Sequence, residues 1–228
     1  MMTFLSIFLK RVSRPIRNLL ASLRLMAYFL KLGYARTSEM RDWINQDFPV
    51  PTPQIIKWSV LKRWGGTGTW IETGTYYGET TKLLSTFANV VFSIEPVHFF
   101  AQKAMNRFAG FENIHILEGA SENETPKLLE ELSAFQKKDV SFWLDGHFSS
   151  GQTFRGSSDT PIREELAAIS LRLPELERAT ILVDDIRCFS SQLIEFDEYP
   201  SISYLSSWAE QNDLTWTIEY DIFIATKR

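Results

Sequence analysis

The chain has 228 residues, of which 44% are hydrophobic and 14% aromatic, enough to bury a sizeable core in one domain plus an appendage. Its single cysteine, Cys188, excludes an internal disulfide and fits a reducing compartment. The net charge of −4 is uneven. Residues 1–38 hold seven Lys or Arg and no acid, which leaves 17 basic against 28 acidic residues beyond them; so acidic a remainder argues against a general nucleic-acid binder.

Residues 1–36 form a basic arm. Pro15 is placed to open a helix, and Arg17, Arg24 and Lys31 follow at intervals of seven, so they share one helical face. Leu19, Leu20, Leu23, Leu25, Met26, Phe29 and Leu30 cover most of the remainder. The charges interrupt the apolar run too often for a membrane span, and no clear cleavage site marks a signal peptide. Two readings stand: a helix lying on an anionic membrane surface, or one packed on the domain or on a dimer partner in a homo-oligomer. The first puts the protein in the cytoplasm at the inner face of the membrane. Residues 37–228 form the main domain.

Residues 37–68 read as two helices broken by Pro49, Pro51 and Pro53. From there strands and helices alternate. Strands are expected at Thr69–Thr75, Val90–Glu95, Asn113–Leu117, Val140–Asp145 and Thr180–Asp184. Helices are expected at Tyr77–Ala88, then through Phe108, at Pro126–Phe135, Pro161–Leu173 and Ser201–Gln211. Two final strands, Trp216–Tyr220 and Ile222–Thr226, have only Asp221 as a clear break and should pair antiparallel. The expected fold is α/β: a Rossmann-like, seven-stranded, mostly parallel sheet with helices on both faces, its last strand antiparallel, plus the N-terminal helical extension. The polar connection Gly146–Thr160 is long for a compact domain and suggests a lid or binding loop.

In such a sheet the ligand sits beyond the carboxyl ends of the strands. Those ends carry Glu72 and Gly74, Glu95, residues 118–121, Asp145 to His147, and Asp184 with Asp185. Glu72-Thr73-Gly74-Thr75-Tyr76-Tyr77-Gly78-Glu79-Thr80-Thr81 reads as strand end, glycine turn and helix start, where backbone N–H groups are free to meet a ligand. Glu95 can accept hydrogen bonds from a ribose diol, which serves NAD and S-adenosylmethionine alike. The glycine spacing separates them. A dinucleotide turn uses G-x-G-x-x-G to approach a pyrophosphate, whereas here Gly74 and Gly78 stand four apart, with Thr75 and Tyr76 where a second close glycine would be needed. The chain also lacks any Tyr-x-x-x-Lys.

Asp145, Asp184 and Asp185 end neighbouring strands, and three carboxylates that close call for a divalent cation, Mg²⁺ or Mn²⁺ rather than zinc. His147, beyond the Gly146 turn, is a candidate general base.

These pieces, Glu-x-Gly-x-x-x-Gly-x-Thr, Ser-Ile-Glu, Leu-Asp-Gly-His and Leu-Val-Asp-Asp, resemble class I S-adenosylmethionine-dependent methyltransferases. The Asp-Gly and Asp-Asp pieces are similar to macrocin O-methyltransferase-like enzymes, which modify sugars and aromatic natural products. The resemblance covers about residues 53–228. It implies that Glu72, Gly74 and Glu95 contact the cofactor, with Thr75, Gly78 and Thr80 in the same turn. Ala120 and Ser121 would lie near its adenine, and Asp145 near its reacting end. Asp145, Asp184 and Asp185 would hold Mg²⁺ against two oxygens of the acceptor. The family commonly has a second acidic residue as base where this chain has His147, so Asp145 and His147 form the expected catalytic pair. The expected reaction is methyl transfer to a hydroxyl of a small-molecule or glycan acceptor. The alternatives are a NAD-linked oxidoreductase and a non-catalytic, membrane-recruited binding module.

Overall fold

The structure, a computed structural model, describes Met40 and residues 42–134, 138–146, 160–190 and 198–227. The basic arm and, with His147, residues 147–159 of the polar connection lie outside the described residues. The chain divides into two compact units, Met1–Pro49 and Val50–Arg228, at the run of prolines. Within the first, residues 42–45 are helical and the Trp43 indole N–H donates to the Pro49 carbonyl at 2.7 Å.

The second unit runs α1 (Gln54–Trp64), β1 (Thr69–Thr73), α2 (Glu79–Leu84), β2 (Val90–Glu95), α3 (His98–Phe108), β3 (Ile114–Glu118), α4 (Ser121–Ala134), β4 (Asp139–Leu144), α5 (Ile162–Arg172), β5 (Arg178–Val183), α6 (Ile202–Gln211), β6 (Thr215–Glu219) and β7 (Ile222–Lys227). The strands form one seven-stranded sheet in the order β3-β2-β1-β4-β5-β7-β6. Strands β1 to β5 are parallel, and β7 is inserted antiparallel between β5 and β6. The expected sheet, mostly parallel with an antiparallel last strand, is therefore the observed one.

Burial on both faces explains why these strands read as short apolar runs rather than as alternating ones. Ile71, Phe142, Ile181 and Ala225 stand abreast in register and pack with Leu128 and Leu132 of α4, Leu166 and Ile169 of α5, and Leu205 of α6. The intervening positions Glu72, Trp143, Leu182 and Ile224 point to the opposite face. There Glu72 meets Thr81 of α2, and the Thr180 hydroxyl of β5 donates to the Trp64 carbonyl of α1.

Two elements differ from expectation for local reasons. Helix α2 is only six residues long. Gly78 sits at its start in the left-handed region (φ 73°), and at its end Ser85 and Thr86 turn their hydroxyls back onto the Lys82 and Leu83 carbonyls. Helix α4 begins at Ser121, ahead of Pro126, because a proline loses only one backbone hydrogen bond and the first turn is already formed.

Candidate active site at the carboxyl edge of the sheet

The sheet reverses direction of growth between β1 and β4, the place where open α/β sheets leave a crevice for ligands. Register sets what lines it. Since Thr73 pairs with Leu144 and Leu144 with Val183, the next residues Gly74, Asp145 and Asp184 emerge together, and the Asp184 N–H donates to the Leu144 carbonyl at 3.0 Å. The β1 and β4 turns nearly touch. A Cβ on Gly74 would lie 2.6 Å from the Asp145 carbonyl oxygen, and φ is 85°. Glycine is required there by close backbone approach and by conformation at once.

Glu95 serves the same turn. Its buried carboxylate accepts from the Tyr76 N–H at 2.7 Å and the Val97 N–H at 2.9 Å, so it clamps the β1–α2 turn onto the end of β2. Burial pushes its pKa up while the two backbone bonds oppose the rise. Each oxygen keeps a second lone pair, so a ribose diol can still be accepted. Gly78 is fixed by packing, since a Cβ would lie 2.6 Å from the Phe108 ring of α3. Ala120 and Ser121 follow Gly119 at the end of β3. Ser121 is buried, and its hydroxyl opposes the rise of the Glu165 pKa.

Three expected cofactor residues are turned elsewhere. Glu72 is 1% exposed and accepts from the Thr81 and Ser93 hydroxyls, binding α2 and β2 to β1. Burial raises its pKa to about 8, against the pull of those hydroxyls. The Thr75 hydroxyl bonds to Ser93 at 2.6 Å. The Thr80 hydroxyl accepts from Gln54 and Trp58 of α1. These side chains build the turn. These bonds have one cause: a polar side chain at a strand end or helix start satisfies a buried neighbour when one is within reach.

Asp145, Asp184 and Asp185 do converge, each offering an oxygen within 4.8 Å of the others. The structure adds a residue that the sequence did not single out. Lys57 of α1 is buried, and its ammonium donates to Asp184 Oδ2 at 2.6 Å and Asp185 Oδ1 at 2.8 Å. Arg187 donates to the same Asp185 oxygen at 2.6 Å and also to Asp221, a buried residue of the β6–β7 turn. Asp184 Oδ1 is taken by the Asp185 N–H at 2.8 Å. Burial disfavours the charge on Lys57, but Asp184, Asp185 and Asp145 outweigh it and its pKa rises. Burial, then the charges of Asp145 and Asp185, push Asp184 upward too, with Lys57 opposing. The rise of Lys57 against its burial reports the pull of these carboxylates on a cation.

Lys57 already occupies oxygens of Asp184 and Asp185, so a divalent ion at these three carboxylates would have to share those oxygens with the ammonium or displace it.

Glu165 of α5 is a further residue the sequence reading missed. It is 1% exposed, its Oε1 has no hydrogen-bond partner among the described residues, and it lies beneath the Gly146 turn on the face opposite Lys57. Burial raises its pKa to about 7, against the Ser121 and Thr73 hydroxyls. One signal for Lys57 was available: it recurs with Val60, Leu61 and Trp64 at helical spacing, a lysine inside an apolar stripe.

No protein-family model and no curated protein matches the chain. Similar solved structures include the N-methyltransferase NodS from Bradyrhizobium japonicum WM9, 11% identical over 76% of this chain and 94% of that one, with a TM-score of 0.48. An rRNA methylase from Streptococcus thermophilus is 16% identical over 78% and 96%, with a TM-score of 0.42. Aeropyrum pernix fibrillarin with natively bound S-adenosyl-L-methionine is 9% identical over 75% and 73%, with a TM-score of 0.45. Likenesses this distant carry no activity or substrate over to this chain.

Proposed function

We propose that the chain is an S-adenosylmethionine-dependent methyltransferase acting on a hydroxyl of a sugar, glycan or small natural product. One observation carries the reading: along the carboxyl edge from the β1/β4 crevice to the β6–β7 turn, Asp145, Asp184, Asp185 and Asp221 outnumber Lys57 and Arg187. A cationic donor is favoured there, and the pyrophosphate of a dinucleotide is repelled.

When bound, S-adenosylmethionine supplies a methyl group already activated on a sulfonium, so alignment and deprotonation are the protein's tasks. Gly74 keeps the turn low over the Asp145 backbone, and Glu95 offers its free lone pairs to the ribose. Ala120 and Ser121 flank the adenine side. His147 would take the acceptor's hydroxyl proton, with Asp145 as its catalytic partner. The basic arm, residues 1–36, supports an acceptor held at an anionic membrane surface, such as a lipid-linked glycan.

Isothermal titration with S-adenosylmethionine, S-adenosylhomocysteine and NAD tests the donor. Wild type should bind the first two and not the third. Glu95→Ala should weaken both by at least about tenfold, the worth of hydrogen bonds to a charged acceptor. Binding of NAD alone would turn the reading into that of an oxidoreductase, and binding of none would leave a non-catalytic module. For the arm, co-sedimentation with anionic but not neutral vesicles is expected; equal pelleting with both would remove the membrane reading.

A further inference from the structure

We propose that Lys57 is the resident cation of the acceptor site, standing where the resemblance placed Mg²⁺, so that methyl transfer in this chain is metal-independent. The inference deepens the methyltransferase reading and rests on it for the identity of the reaction, but its geometry is independent of that reading. Lys57 comes from α1, outside the strand–turn motifs, and reaches the ends of β4 and β5 because Asp145 and Asp184 continue the sheet face that α1 covers.

Its ammonium has three N–H donors. Two go to Asp184 Oδ2 and Asp185 Oδ1, at 2.6 and 2.8 Å. No third acceptor is present among the described residues, and the side chain is only 8% exposed. A buried donor left open beside Asp145 is a demand for an acceptor atom from a ligand. An incoming hydroxyl oxygen meets it: the third N–H donates to that oxygen, stabilising the alkoxide character that develops as its proton is drawn off. Lys57 gives up no proton of its own in the step. It does the electrostatic part of a metal ion's work, polarising and orienting the oxygen, but has one charge and directed donors where a metal would chelate two oxygens. The acceptor class follows: a single hydroxyl suffices, and a vicinal diol or catechol is not required.

The test is Mn²⁺ titration of the full chain at physiological ionic strength, with free Mn²⁺ read by electron paramagnetic resonance. Wild type should show no saturable uptake at millimolar Mn²⁺. Lys57→Met removes the ammonium from Asp184 and Asp185, and should take up about one ion per chain. If wild type itself saturates with one Mn²⁺ per chain, and Mg²⁺ displaces it, the proposal is overturned, whatever the variant does. Should Lys57→Met fail to fold, the wild-type titration still decides. Donor titration on the same wild-type sample separates the two readings. No S-adenosylmethionine binding with no Mn²⁺ uptake removes the methyltransferase reading and keeps the lysine as the site's cation; donor binding with stoichiometric Mn²⁺ does the reverse.

Discussion

Glu72 shows how a residue's neighbours override its motif. In the sequence it stands where a cofactor-binding acid belongs. In the structure its carboxyl is enclosed by Thr81 and Ser93, and burial lifts its pKa from 4.5 to about 8. The consequence for stability has a definite sign. Between those values the unfolded chain has lost the proton that the folded chain keeps, so stability is fullest below pH 4.5 and falls as pH rises toward 8. Glu165, raised to about 7, adds in the same direction. Melting temperatures measured from pH 5 to 8 should fall for wild type, and the fall should be visibly shallower in Glu72→Gln, whose amide oxygen still accepts from both hydroxyls. An equally steep fall in the variant would remove Glu72 as the cause. The Cys188 thiol, buried beside this edge and pushed up to about 11 chiefly by burial, should resist alkylation by iodoacetamide at pH 8 in the folded protein.

At the scale of elements, α2 is the instructive case. Its apolar and threonine-rich sequence promised a helix to Ala88, yet glycine at one end and hydroxyl back-bonding at the other leave six residues. Gly78 is the pivot, since it must be left-handed and must admit the Phe108 ring. Gly78→Ala meets both constraints badly: about 1–2 kcal/mol for the backbone conformation and more for the displaced ring. A loss of roughly 2–4 kcal/mol is expected in urea unfolding. A loss below ~0.5 kcal/mol would show that α3 yields freely and that the glycine is not a packing requirement.

For the whole molecule, the carboxyl edge is held together by residues far apart in the chain. Lys57 joins α1 to the end of β5 across 127 residues, and Arg187 joins the segment after β5 to the β6–β7 turn through Asp221. Asp221 is 1% exposed and also accepts from the Arg187 N–H at 3.0 Å, while its own carbonyl accepts from the Ile186 N–H. The hairpin is therefore a wall of the site as well as the edge of the sheet. Asp221→Ala should cost about 2–4 kcal/mol, through the loss of Arg187's partner at a mostly buried position. It should also lower donor affinity, because the crevice loses part of its negative charge. Unchanged unfolding in urea would argue that the hairpin does not brace this edge.

The fold was legible in the sequence because it is written in local patterns. Doubly buried parallel strands are short apolar runs, amphipathic helices repeat near 3.6, and a hairpin with almost no loop must be antiparallel. Gly74, Glu95, Asp145, Asp184 and Asp185 were legible for a related reason: strand ends are local, and a parallel sheet gathers them on one edge. What the sequence could not state is which way a side chain turns once neighbours compete for it. Glu72, Thr75 and Thr80 turn inward because buried hydroxyls, carboxylates and indole N–H groups satisfy one another. Lys57, Glu165, Arg187 and Asp221 enter the site only through contacts between elements distant in sequence, and the sign and size of the charge at the crevice depend on all of them. The carboxylates were fixed by sequence, but the cation that answers them was decided by tertiary packing, because only the closed fold brings α1 within 2.6 Å of the end of β5.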